Sequence, residues 1–214
     1  MGVTPRRPGW IRRVFGVPTS RWAGWFLARF NGPMNRRLVA RLQLGGGERV
    51  LEIGPGPGVA LEAIARRLPN GRVTGLDPSP VMRSMAEARL RRAFPPERYR
   101  LEAGEVGALP FPDASFDAIY SANSVQLWAP LDAALREITR VAAPGARLVL
   151  GAQEVAIRGA GRTVRELFDP LVGGLSGPAW TVESVGRGGV GRFHYRYVEA
   201  RRAERGSESA AGRA

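Results

Sequence analysis

The chain has 214 residues, is 44% hydrophobic, carries a formal charge of +13, lacks cysteine and contains one histidine, His194. That length and apolar content suit one α/β domain with a sizeable core. Disulfides and thiolate metal centres are excluded, a single histidine argues against a metal site or a catalytic triad, and no apolar run approaches the ~18 residues of a membrane span.

Without a secretory leader pattern, a cytoplasmic location is expected. Every basic residue apart from His194 is arginine. Such charge raises the question of nucleic-acid or anionic-membrane partners. The arginines are scattered, with short clusters near both ends, and no aromatic-interleaved basic stripe occurs. The excess is therefore read as compositional, and no specific nucleic-acid partner is expected.

Residues 1–18 combine Arg6, Arg7, Arg12 and Arg13 with Trp10, Ile11, Val14 and Phe15, and read as a loose arm. Thr19 or Ser20 can cap a helix with Trp22, Trp25, Phe26 and Phe30 on one face. Asn31-Gly32 stops it, and Pro33 opens another helix that buries Leu38, Val39 and Leu42. The expected organisation is a helical arm over 1–46, one domain over 47–202 and a disordered tail over 203–214.

Val50-Leu51-Glu52-Ile53 then runs as a strand into Gly54-Pro55-Gly56-Pro57-Gly58. Leu61, Ile64, Ala65 and Leu68 follow at helical spacing. Strand, glycine turn and helix bring backbone N–H groups up to a ligand. A second strand, Arg72 to Leu76, ends at Asp77, where a ribose-binding carboxylate belongs. Ser79 is the better helix cap, with Pro80 at the first helical position, which leaves Asp77 for the ligand. The glycine spacing is G-x-G-x-G, and Val59 stands where a dinucleotide fingerprint would place its third glycine.

This combination resembles the class I S-adenosylmethionine-dependent methyltransferases. Further along, Leu109-Pro110-Phe111-Pro112-Asp113-Ala114-Ser115-Phe116-Asp117 is similar to the branch typified by ubiquinone and menaquinone biosynthesis enzymes. So is Glu137-x-x-Arg140-Val141-Ala142-Ala143-Pro144-Gly145. The resemblance implies a Rossmann-like, seven-stranded, mostly parallel sheet with helices on both faces and a C-terminal antiparallel hairpin. It implies S-adenosylmethionine as cofactor, with residues 1–46 as a lid. Gly54, Pro55, Gly56 and Gly58 would approach its methionine part, with Glu52 orienting the amino end or bracing the loop. Asp77, Pro78 and Met82 would lie along the ribose. Gly104, Glu105 and Val106 would meet the adenine, and Asn123 the methionine end. Gln126 and Trp128 would face the acceptor.

The remaining elements follow in order. A helix from Ser79 turns Met82, Met85 and Ala86 inward, and strand three spans Tyr99 to Ala103. Strand four runs from Phe116 to Ser121. Leu131, Leu135, Ile138 and Ala142 mark a helix ended by Pro144-Gly145, before strand five at Arg147 to Gly151. Residues 162–172 read as helix. Thr181–Val185 and Phe193–Ala200 read as strands joined by a glycine-rich turn from Gly186 to Gly191, with His194 on a sheet face. The leading function is methyl transfer to a small organic acceptor through a C, O or N nucleophile, with no identified base. Its rivals are a nucleic-acid-modifying methyltransferase, a nicotinamide oxidoreductase and a non-catalytic binding module.

Overall fold

The computed structural model describes residues 32–191 and 193–204. The expected cap at Thr19 or Ser20, the aromatic face of Trp22, Trp25, Phe26 and Phe30, and most of the tail lie outside these residues. Seven strands form one sheet in the order β3-β2-β1-β4-β5-β7-β6. They are β1 (Arg49–Ile53), β2 (Arg72–Leu76), β3 (Tyr99–Glu102), β4 (Phe116–Ala122), β5 (Ala142–Gln153), β6 (Trp180–Val190) and β7 (Phe193–Arg202). The first five run parallel; β7 runs antiparallel to β5, and β6, paired antiparallel with β7, runs in the direction of the first five. Strand order reverses between β1 and β4, which leaves a crevice at their carboxyl ends.

Consecutive apolar residues in β1, β2 and β4 are explained by burial on both faces of a parallel sheet. On one face, Val50, Val73, Ala118, Tyr120 and Val149 meet helices α1 (residues 32–41), α2 (Val59–Ala65) and α3 (Pro80–Leu90). Met34, Leu38, Val39 and Leu42 of α1 and the turn after it are completely buried there. On the other face, Leu51, Ile53, Ile119, Leu148 and Leu150 meet α4 (Leu131–Val141), α5 (Glu154–Gly159) and α6 (Val164–Leu175). Ser79 caps α3, as its position before Pro80 predicts. Ala86 and Leu90 are the buried residues of that helix, whereas Met82 and Met85 are only half-buried.

The structure departs from the sequence reading in three further places. First, Pro144-Gly145 does not end α4, which stops at Val141, but lies inside β5. Pairing with β4 jumps from Phe116↔Ala142 to Ala118↔Arg147, so the intervening residues form a bulge. Gly145, at φ +75, supplies its left-handed backbone.

Second, Gly186 to Val190 is strand rather than turn, and the reversal comes at Gly191, where φ is +57. The glycines are there because tyrosine rings lie across them. A Cβ on Gly186 would stand 2.4 Å from the Tyr197 hydroxyl, and one on Gly188 would stand 2.1 Å from Tyr195 Cζ.

Third, α5 lies where the sequence reading placed no element, and α6, expected over 162–172 and so already across Pro170, runs on to Leu175. Thr163 and Glu166 form a reciprocal capping box at its start. Pro170 cannot donate to the Glu166 carbonyl. That carbonyl instead accepts from Arg162 Nη2 at 2.6 Å.

The Leu109–Asp117 loop is held by Arg140. Its guanidinium donates to the carbonyls of Phe111 at 2.7 Å and Leu109 at 2.9 Å, to Asp113 at 2.8 Å, and to Glu137. Glu137 in turn accepts from the Leu109 N–H at 2.7 Å. Phe111 plugs the core edge-on to Phe116. The two matching sequence stretches are thus two halves of one clamp.

Candidate active site

The carboxyl ends of β1, β2 and β4 bring the predicted residues together. Gly54, Gly56 and Gly58 all adopt positive φ, at +72, +53 and +78. Only one of them opens onto space. A Cβ on Gly54 would collide with Ser124 Cβ at 2.6 Å, and one on Gly58 would sit 2.9 Å from Ala86. These two glycines let β4 and α3 pack against the loop. Among the described residues, a Cβ on Gly56 would meet nothing within 4 Å, so the open approach lies there.

Asp77 is buried and ties the loop to the start of α3. Its Oδ2 accepts from Gly56 N–H at 3.1 Å and its Oδ1 from Ser79 N–H at 2.9 Å. The expectation that Ser79's capping role leaves Asp77 free is therefore corrected: the carboxylate already holds two amides. Each oxygen keeps a second lone pair for a ligand hydroxyl. Burial raises the Asp77 pKa, while the two amides and Arg83 pull it down.

Glu52 is the most unusual group in the site. It is 3% exposed, and its Oε2 has no hydrogen-bond partner among the described residues. Burial, aided by the nearby Asp77 charge, pushes its pKa up from 4.5 to about 8. Beside it in register stands Tyr120, whose buried hydroxyl donates to Asn35 Oδ1 of α1 at 3.1 Å. Burial and the Glu52 charge both raise the Tyr120 pKa. Tyr120 and Asn35 escaped the sequence reading. Their signal was faint: one polar tip in an apolar strand and one amide in an arginine-rich helix.

The loop after β4 is braced from below. The Ser121 hydroxyl donates to the Ile53 carbonyl at 2.8 Å, and the Ser124 hydroxyl lies within donating reach of both Ser121 Oγ, at 2.7 Å, and that carbonyl, at 3.1 Å. Asn123 takes φ +58, a left-handed conformation that asparagine tolerates better than most residues. Its N–H donates to Gly151 O, and its Oδ1 accepts from Gln153 N–H at 2.7 Å. Gln126 is 5% exposed; its Nε2 donates to Asn123 O, and its Oε1 lacks a partner among the described residues. Trp128, expected to face the acceptor, packs instead in the core cluster under α4, where Nε1 donates to Ser124 Oγ at 3.1 Å. Its indole fits that apolar gap, and the serine satisfies the one polar atom.

At the β2–β3 end, Pro55 is buried, Pro78 is exposed and Met82 is half-buried. Gly104 packs so closely on Leu76 that a Cβ would lie 2.8 Å from its Cδ1. Glu105 is exposed and pairs through its backbone with Ala108, while Val106 rests on the core. Among the described residues, no group of three or more His, Asp or Glu side chains could hold a metal ion, and no helix is long and apolar enough to cross a membrane.

A sheet of this topology, with a glycine loop after β1 and a carboxylate after β2, defines a class I methyltransferase fold. Residues 51–150 match the family described as "Methyltransferase domain". The chain is 27% identical over 131 residues to "Uncharacterized methyltransferase YdaC" of Bacillus subtilis (strain 168), covering 61% of this chain and 70% of that protein. It is 39% identical over 104 residues to "Demethylmenaquinone methyltransferase" of Tropheryma whipplei (strain Twist), covering 49% of this chain and 41% of that one. A solved SAM-dependent methyltransferase from Aquifex aeolicus superimposes with TM-score 0.68 at 21% identity, covering 84% of this chain and 98% of its own. The [4+2]-cyclase SpnF superimposes with TM-score 0.68 at 18% identity, covering 92% of each chain. Residues 51–150 thus carry a methyltransferase domain, and the chain is similar in sequence and fold to S-adenosylmethionine-dependent methyltransferases.

The residues present fit that cofactor. An unpartnered buried carboxyl group suits an ammonium, and Gly56 leaves room for a chain to pass. Asp77 has lone pairs for paired hydroxyls.

Proposed function

We propose that this protein transfers a methyl group from S-adenosylmethionine to a small organic acceptor by in-line displacement. The observation that carries the reading is Glu52, a buried carboxyl group with an oxygen unpartnered among the described residues, on the strand that leads into Gly56, the one glycine of the loop whose Cβ would meet no described residue. An uncompensated buried carboxyl costs stability and persists where a ligand completes it. When bound, S-adenosylmethionine supplies a methyl group on a sulfonium, so a good leaving group is already in place.

The work left to the chain is binding, orientation and exclusion of water. Glu52 holds the ammonium end. Asp77 accepts from the ribose hydroxyls while keeping the loop attached to α3. Glu105 and the Val106 N–H receive the adenine edge. Asn123 fixes the loop after β4 through Gln153, and the open oxygen of Gln126 accepts a hydrogen bond from the acceptor. Relatives named for malonyl-[acyl-carrier protein] and demethylmenaquinone methylation support a small-molecule acceptor. The fold alone does not decide the chemistry, as a cyclase neighbour demonstrates.

Calorimetric titration with S-adenosylmethionine, S-adenosylhomocysteine and NAD tests the reading. Binding of the first two with no binding of NAD supports it. Binding of NAD alone would refute it.

A further inference from the structure

The β6–β7 hairpin carries a charge arrangement that fold stability does not call for. Arg187 and Arg196 stand directly opposite each other in the antiparallel pair. Like charges in that position destabilise a sheet. Both Nε atoms turn to one oxygen, Glu154 Oε1, at 3.2 and 3.0 Å. Arg158, one turn along α5, approaches Glu154 Oε2 at 3.9 Å. Three guanidiniums thus share one carboxylate.

The arginines point their remaining donors outward. Their side chains are 50%, 38% and 67% exposed, against 15% for Glu154. The Nη groups of Arg187 and Arg196 have no hydrogen-bond partner among the described residues. A guanidinium held by Nε keeps its outer donors for a fork-like grip on phosphate or carboxylate.

Two further observations point to a ligand. The exposed large hydrophobic side chains among the described residues are Val155 and Val185. Val155 adjoins Glu154, and Val185 lies two residues before Arg187 on the same face of β6. The cluster also borders the candidate site, because Glu154 follows Gln153, whose N–H donates to Asn123.

We propose that Arg158, Arg187 and Arg196 form a subsite for the anionic head of the acceptor, a phosphate or carboxylate on an apolar body. This rests on the methyl-transfer reading only in assigning the anion to the acceptor. β7 lies two strands from β4, about 10 Å across the sheet at about 4.8 Å per strand, and β6 one strand further. Glu154 spaces the arginines, and the anion neutralises the positive charge that one carboxylate leaves uncompensated among three guanidiniums. Val155 and Val185 cover the adjacent apolar body.

The test titrates the full chain with pyrophosphate, monomeric decyl phosphate, decanol and phosphatidylglycerol vesicles at two salt concentrations. Decyl phosphate should bind more tightly than pyrophosphate, and decanol should not bind. The Arg187→Gln/Arg196→Gln variant should lose at least about tenfold in affinity, since one charge-assisted bond contributes roughly that much. Glu154→Gln, which removes the competing carboxylate, should gain affinity. Both variants should bind S-adenosylmethionine as the parent does, which separates failure of the subsite from failure of the methyltransferase reading. Equal phosphate binding by the double variant, weaker binding by Glu154→Gln, or binding to vesicles alone would each overturn the proposal.

Discussion

Replacing Glu52 by glutamine should stabilise the unliganded protein and weaken its hold on the cofactor. The carboxyl is buried, and its pKa rises from 4.5 to about 8. Below pH ~4.5 it is protonated in both folded and unfolded chains and contributes nothing. As pH rises, the unfolded chain ionises while the folded one keeps its proton, so stability falls until about pH 8 and then levels off. One pKa unit corresponds to about 1.4 kcal/mol, so the penalty is on the order of 3 kcal/mol at pH 7 and 5 kcal/mol above pH 8. Glutamine never ionises and escapes it. At roughly 2–4 °C per kcal/mol for a domain of this size, Glu52→Gln should melt about 6–12 °C higher at pH 7.

Melts of both proteins from pH 4 to pH 9 measure the effect. The difference should vanish at the acid end and widen toward pH 8. An ammonium ligand favours the ionised form, so cofactor binding near pH 7 should release about one proton, visible as a dependence of calorimetric heat on buffer ionisation. That release should disappear in Glu52→Gln, along with at least about tenfold in affinity. A pH-independent difference in melting, or a less stable Glu52→Gln at pH 8, would refute the reasoning.

Asp77→Ala should weaken S-adenosylmethionine at least about tenfold and also lower stability, because Gly56 and Ser79 lose their acceptor; Asp77→Asn should do less of both, as parallel melts and titrations would show. Gly56→Val should damage binding more than Asp77→Asn, since it fills the open approach at a positive-φ position. Arg140→Ala should cost about 2–4 kcal/mol in denaturant melts, because the carbonyls of Leu109 and Phe111 lose their donor. Gly188→Ala should destabilise by about 1–3 kcal/mol against the Tyr195 ring, whereas Gly173→Ala, in open space on α6, should stabilise by about 1 kcal/mol.

Local chemistry determined much of this protein from sequence alone. Glycines at alternate positions after an apolar strand, an acid at the end of the next strand, and Ser-Pro at a helix start are short-range signals, each readable without knowing its neighbours. They identified the strand–turn–helix, the cap at Ser79 and the class of fold. Tertiary structure decided which side chains occupy the same space. Gly54 and Gly58 answer to Ser124 and Ala86, residues distant in sequence, and of the three loop glycines only Gly56 has no described residue in its Cβ direction. Gly186 and Gly188 looked like a turn because sequence does not reveal that Tyr197 and Tyr195 lie across them. Trp128 was placed by the apolar gap under α4, and Pro144-Gly145 by a register jump against β4. The charge state of Glu52 depends on burial and on Asp77, two facts that exist only once β1 and β2 are paired and covered.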